Sequence, residues 1–236
     1  MHFKIELCSA SVEAIRLARR FDIDRIELCQ NLEQGGLTPS AGLVKFAVDK
    51  GIETHVLIRP RAGGFFYHSD EFEVMLDEVK TLQELSVSGI VVGALSDHFL
   101  PDIKNLNEII KAAEGLDLTF HRAFDEVVDW KKSLDLLIGA GFKRVLSSGL
   151  ASNVEIGMYN LAKMKQFVGN SIEIMPGGGV NLSNIHRIIE EVKPDAIHFS
   201  GTVKTLLDEE SLFSETILKV DEKKIEKLVQ GLKKEA

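Results

Sequence analysis

Apolar residues recur along this 236-residue chain with two alternating periods. Short runs such as Phe3, Ile5 and Leu7, or Ile26 and Leu28, have the every-other-residue alternation of strands. Between them lie longer stretches with the three-and-four spacing of an amphipathic helix, such as Ile103, Leu106, Ile109 and Ile110. The pattern predicts strands over 3–8, 25–29, 54–59, 89–94, 117–121, 144–147, 171–175 and 196–200. It predicts helices over 11–20, 40–50, 69–85, 103–113, 130–140, 153–167, 182–192 and 222–233. Strand–helix alternation points to a parallel sheet, and eight repeats point to closure as a (β/α)8 TIM barrel, one domain over 1–236. An open doubly wound sheet is the alternative. Its Gly-rich turn belongs after the first strand, where Ser9-Ala10-Ser11 stands instead.

Strand parity then sorts the side chains. If the Ile, Leu, Val and Phe positions face the helices, the lumen receives Lys4, Glu6 and Cys8 from the first strand and Arg25, Glu27 and Cys29 from the second. It also receives His55, Leu57 and Arg59, then Thr119 and His121, Glu173 and Met175, and Ala196, His198 and Ser200. An isolated charge in such a place costs several kcal/mol, so these groups must pair, bind a metal or meet a ligand. Glu6, Glu27, Glu173, Arg59, His55, His121, His198 and the two thiols are expected to crowd one end. The long segments 30–39 and 60–68 fall at the carboxyl ends of strands, the face where barrels build their sites.

Composition narrows the class. Hydrophobic residues make up 44% of the chain, ample for a core. A formal charge of −8 disfavours nucleic acid, whose phosphates it repels. No window approaches the roughly 18 apolar residues of a membrane span. The opening stretch lacks the basic region and apolar run of a secretory signal. Two cysteines make no disulfide framework, and the expectation is a cytoplasmic protein with free thiols.

Several groups can carry chemistry. Cys8 and Cys29 end adjacent strands with the same facing; level in register, they suit a soft ion such as Cu(I), and otherwise they are small buried hydrophobes. Glu6, Glu27 and His121 suit acid–base catalysis or a harder divalent ion. Arg59 and Arg61 at the mouth suit a carboxylate or phosphate, or ion pairs with Glu6, Glu27 or Asp125. Gly177, Gly178 and Gly179 follow the seventh strand, with Asn181 or Ser183 as a helix cap, and Ser200 and Gly201 follow the eighth. Both are positions where barrels hold anions, to which Ser148 and His198 can add donors. Three functions stay open: a Cu(I)-binding protein, an enzyme acting on a small anionic or phosphorylated metabolite, and a non-catalytic scaffold working through protein contacts.

Taken in order, Glu6-Leu7-Cys8, Glu27-Leu28-Cys29, Gly35-Gly36-Leu37-Thr38-Pro39-Ser40, Ile58-Arg59-Pro60-Arg61, Thr119-Phe120-His121-Arg122-Ala123-Phe124-Asp125, Ser148-Gly149, Pro176-Gly177-Gly178-Gly179-Val180 and His198-Phe199-Ser200 resemble the CutC family over nearly the whole chain. The resemblance implies a barrel, a cytoplasmic location, a role in copper homeostasis, Cys8 and Cys29 as the Cu(I) ligands, and a homo-oligomer. The chain departs from the family pattern at Gly64, where an acidic residue often follows the Arg-Pro-Arg segment, at Leu150 in place of a second glycine, and over 96–99.

Overall fold

The computed structural model describes residues 3–206 and 216–235. Eight parallel strands form one sheet: β1 (Lys4–Ser9), β2 (Arg25–Leu28), β3 (Glu53–Leu57), β4 (Gly89–Val92), β5 (Asp117–Phe120), β6 (Arg144–Ser147), β7 (Glu173–Pro176) and β8 (Ala196–Ser200). They follow one another in chain order, with β8 pairing back onto β1, so the sheet curls into a (β/α)8 barrel. The seam lies between β7 and β8. There Asp195 N donates to Ile174 O at 3.3 Å, while the Asp195 carboxylate accepts from Ile174 N at 3.0 Å and from Lys165 Nζ at 2.8 Å.

Helices α1 (Val12–Arg20), α2 (Ala41–Asp49), α3 (Ser69–Glu84), α4 (Ile103–Ala112), α5 (Trp130–Gly139) and α6 (Val154–Val168) wrap the outside. Their starts are written in the sequence: the side chains of Ser11, Ser40, Asp102, Asp129 and Asn153 each accept a first-turn backbone N–H. The strands' outward residues, among them Ile5, Leu7, Ile26, Leu28, Val56, Ile90, Phe120, Ile174 and Phe199, join the helices' buried stripes in one apolar shell. Each such side chain contributes about 1.5–3 kcal/mol when fully buried. The lumen holds only two small apolar groups, Cys8, Cys29, Leu57 and Val91, and Leu146, Met175 and Ala196. Gly89 and Gly93 leave room for the rings of His55 and His121, and the other inward positions among the described residues are polar.

Three expectations need correction. The seventh helix starts late and is irregular: α7 (Ile185–Arg187) makes one turn and continues as a π-helical stretch over Ile188–Val192. The Asn181 side chain is spent on Ser183 N at 2.8 Å, closing a turn, and Asn184 rather than Asn181 or Ser183 precedes the first helical residue. Strand 8 does not lead directly to the last helix. An antiparallel hairpin, β9 (Thr202–Leu206) and β10 (Thr216–Val220), intervenes before α8 (Glu222–Glu235). Finally, β3 ends at Leu57, so Arg59 sits in the loop beyond it.

Candidate functional site

The inward polar residues form two groups at different heights, not the single crowd expected from parity. At the amino-terminal end of the barrel, the fully buried Arg25 donates through Nε to Glu6 and lies 3.5 Å from Glu53. Arg144 donates to Glu173 at 2.8 Å and to Thr119 Oγ1 at 3.1 Å, and lies 3.4 Å from Asp117. Lys4 reaches Glu53 at 2.7 Å and Lys143 reaches Asp117 at 2.9 Å. Thus the carboxylates of Glu6, Glu53, Asp117 and Glu173 face the cations Lys4, Arg25, Lys143 and Arg144. Burial alone raises a carboxyl pKa, but the Arg25 charge and the His198 hydrogen bond hold Glu6 far below the ordinary range.

His55 belongs to this lower group. Its Nε2 lies 3.4 Å from Glu53 and 4.0 Å from Asp117, a spacing that also suits a metal. Its Nδ1, however, faces an Arg144 N–H at 3.4 Å and must accept. Burial keeps the ring neutral, so the one ring proton sits on Nε2, which lies near the carboxylates but makes no hydrogen bond to any described residue. No lone pair is left there for a metal.

The carboxyl-terminal mouth is different. A cavity of about 700 Å³ opens there, lined by Cys8, Glu27, Arg59, His121, Arg122, Asp125, Gly178, Gly179, His198 and Ser200. The register places Cys8 level with Glu27, not with Cys29, because neighbouring barrel strands are staggered. The side chains nonetheless converge. Cys8 Sγ lies 3.8 Å from Cys29 Sγ and 3.7 Å from Glu27 Oε1. Ligand atoms of Cys8, Glu27 and His198 all lie within 4.8 Å of one another. His198 Nδ1 is 2.7 Å from Glu6, which ties the mouth to the layer beneath. Contact with Cys29 and burial push the Cys8 thiol well up. Burial also raises Glu27. Burial disfavours the charged form of His198, but Glu27, Cys8 and Glu6 together raise its pKa well above the ordinary value.

Arg59 and His121 stand out because their capacity is unmet. Arg59 is 6% exposed and donates to the carbonyls of Gln34, Gly36 and Gly63. It has no carboxylate within 4 Å among the described residues, and its Nε lacks a partner among them. His121 Nδ1 accepts from Ala123 N at 3.1 Å, which leaves the proton on Nε2. Burial, reinforced by Arg59, lowers the His121 pKa to about 3, so the ring is neutral. Its Nε2 also lacks a partner among the described residues, as does Glu27 Oε2.

The other sequence candidates fall elsewhere. Arg61 does not line the cavity; it binds Glu71 and the carbonyls of Gly64 and Phe66, bracing its own loop. Ser148 is tied to Asp125 and Arg122. Gly177 packs between Leu146 and His198. Gly201 lines a separate cavity of about 250 Å³, and a Cβ there would run into Ile225 of α8, so that glycine serves helix packing. Cys29 lies behind Cys8, fully buried and off the cavity wall.

Two roles are not evident from the sequence, which offers Asp125 only as an ion-pair partner for Arg59 or Arg61, whereas its partner cation is Arg122. Asp125 accepts from Ser147 Oγ, from Ser148 N and Oγ, from Leu150 N and from Arg122 Nε, so it stitches the loops after β5 and β6 together. The donated N–H of Leu150 helps hold that residue at φ 59°, a conformation that suits the glycine it replaces. Gly93 makes room for a ring: a Cβ there would lie 2.5 Å from His121.

An eight-stranded parallel barrel with its polar cavity at the carboxyl ends of the strands defines a (β/α)8-barrel protein. Within that class the chain belongs to the CutC family, whose sequence model matches residues 3–203. The CutC protein of Glaesserella parasuis is 39% identical over 208 residues, covering 87% of this chain and 86% of that one. The CutC protein of Treponema denticola is 42% identical over 201 residues, covering 85% and 82%. A solved structure from Streptococcus agalactiae, named for the copper homeostasis protein CutC, superposes with a TM-score of 0.80 at 33% identity, covering 84% of this chain and 98% of that one. Phosphoribosyl anthranilate isomerase from Thermotoga maritima, at 12% identity and a TM-score of 0.62, shares the fold alone. Among the described residues no helix is long and apolar enough to cross a membrane.

Proposed function

We propose that this chain acts in copper homeostasis by taking up Cu(I) at Cys8 and Cys29. The observation that supports this most directly is the 3.8 Å approach of the two sulfurs, Cys8 on the wall of the mouth cavity and Cys29 behind it. Thiolates are the protein ligands that prefer a soft monovalent ion. Metal–thiolate bonds of roughly 2.3 Å in a straight line separate two sulfurs by about 4.6 Å. At 3.8 Å the pair suits a bent site with room for a third donor. His198 and Glu27 flank Cys8 for that place, and the softer imidazole is the better match. Both the Cys8 thiol and the His198 ring hold their protons firmly, so uptake of the ion must expel protons and must weaken as pH falls.

The test is a titration of the reduced protein with Cu(I) against a chromophoric chelator. One ion per chain is expected, with affinity lost at least about tenfold in Cys8→Ser and in Cys29→Ser, because a two-sulfur site cannot survive the loss of one sulfur. Equal affinity in the doubly substituted protein would rule the site out.

A further inference from the structure

The mouth holds a second recognition element that the thiol pair does not use. Arg59 is a buried guanidinium without a carboxylate within 4 Å among the described residues. His121, 5% exposed, presents an Nε2–H that no described residue accepts. Both line the same cavity and share one wall: the Phe65 ring lies 5.2 Å from Arg59 Cζ and has its centroid 4.9 Å from that of His121. The nearby acid cannot satisfy them, because every available position on Asp125 is engaged by Ser147, Ser148, Leu150 and Arg122. Nor can Tyr67 supply charge, since burial raises its hydroxyl pKa and keeps it protonated. A buried cation and a buried donor left without a partner beside a cavity cost free energy unless something pairs with them. What pairs with them must be an acceptor and must carry negative charge.

We infer that the Arg59–His121 wall of the cavity binds the oxyanion of a small organic molecule, a carboxylate or a phosphate ester. The cavity, about 700 Å³, is of the size that holds a metabolite. Gly93 is the fitting residue: only the absence of a side chain there lets the His121 ring reach its place. Glu27, which lines the same cavity, has an unpartnered Oε2 among the described residues, an acceptor suited to a hydroxyl of the same molecule. Arg122 and the Gly178–Gly179 turn lie further round the rim.

The experiment measures acetate and inorganic phosphate binding by calorimetry in a Cys8→Ser background, so that copper plays no part. Saturable binding of at least one is expected, and the tighter of the two tells a carboxylate source from a phosphate source. His121→Asn keeps an acceptor for Ala123 N but removes the outward N–H, and should weaken binding about fivefold or more, the worth of one hydrogen bond. If that variant does not fold, imidazole proton–nitrogen spectra of the Cys8→Ser protein decide, because the His121 ring N–H must shift as the anion saturates. Absence of saturable binding by both anions, binding unchanged in His121→Asn, or a His121 signal that stays still would each overturn the inference.

Discussion

The two ends of this barrel use the same residue types to opposite effect. At the amino-terminal end Arg25 and Arg144 each meet carboxylates, and Lys4 and Lys143 close the ring from outside. At the carboxyl-terminal end Arg59 is also buried, yet it is held by carbonyls alone, and Glu27 and His121 beside the cavity each keep an atom without a partner among the described residues. The first arrangement is balanced charge against charge, with His55 Nε2 its one unpartnered side-chain atom among the described residues, and serves the fold. The second carries unspent binding capacity beside a cavity, of the kind that a bound molecule or an ordered water satisfies. The lesson is to look for function where polar groups are unsatisfied, not where they are numerous.

Three measurements break or sharpen the contrast. Arg25→Met leaves Glu6 fully buried without its main counter-charge, so urea unfolding should show a loss of about 3–5 kcal/mol. A loss under about 1 kcal/mol would mean the lower layer is no more structural than the mouth. The second concerns pH. Burial pushes His121 down to about 3, from an ordinary 6.5, so between those values the unfolded chain binds a proton that the folded protein refuses. Stability therefore falls as pH drops through that window. In His121→Asn the pH dependence should be shallower there by up to about 1.4 kcal/mol per pH unit, read from unfolding curves at several pH values. The Glu6 carboxyl, held far below its ordinary value, contributes stability that is present above pH 4.5 and lost only in stronger acid. The smallest effect belongs to the rim of the lower layer: Lys143 is half exposed, and Lys143→Ala should cost about 0.2–1 kcal/mol in the same assay.

The alternation Ile5-Glu6-Leu7-Cys8 is enough to place Glu6 and Cys8 in the lumen, because only one parity sends Ile5 and Leu7 to the helices. The same logic places Glu27, His121 and His198. Parity says nothing of height along the axis, which depends on stagger between strands. That is why His55 and Glu173, inward as expected, lie at the far end from Arg59 and His121. Arg61 illustrates a different limit: two residues beyond Arg59 in a loop, its direction follows the turn and the partner Glu71, which no periodicity reveals. The hairpin of β9 and β10 is illegible for its own reason. Thr202–Leu206 is short, polar and partly exposed, and its partner strand lies beyond nine further residues with no tight-turn signature such as Asn-Gly.

Asp195 has an implication for how the cylinder yields. Seven of its eight joints are laced by parallel ladders, whereas the eighth is fastened by one long backbone bond and one carboxylate. A hoop fastened by a buckle gives at the buckle. The easiest breathing motion is therefore a parting of β7 from β8, next to Met175 and His198, which would loosen the pocket from its flank while the Arg25–Glu6 side stays shut.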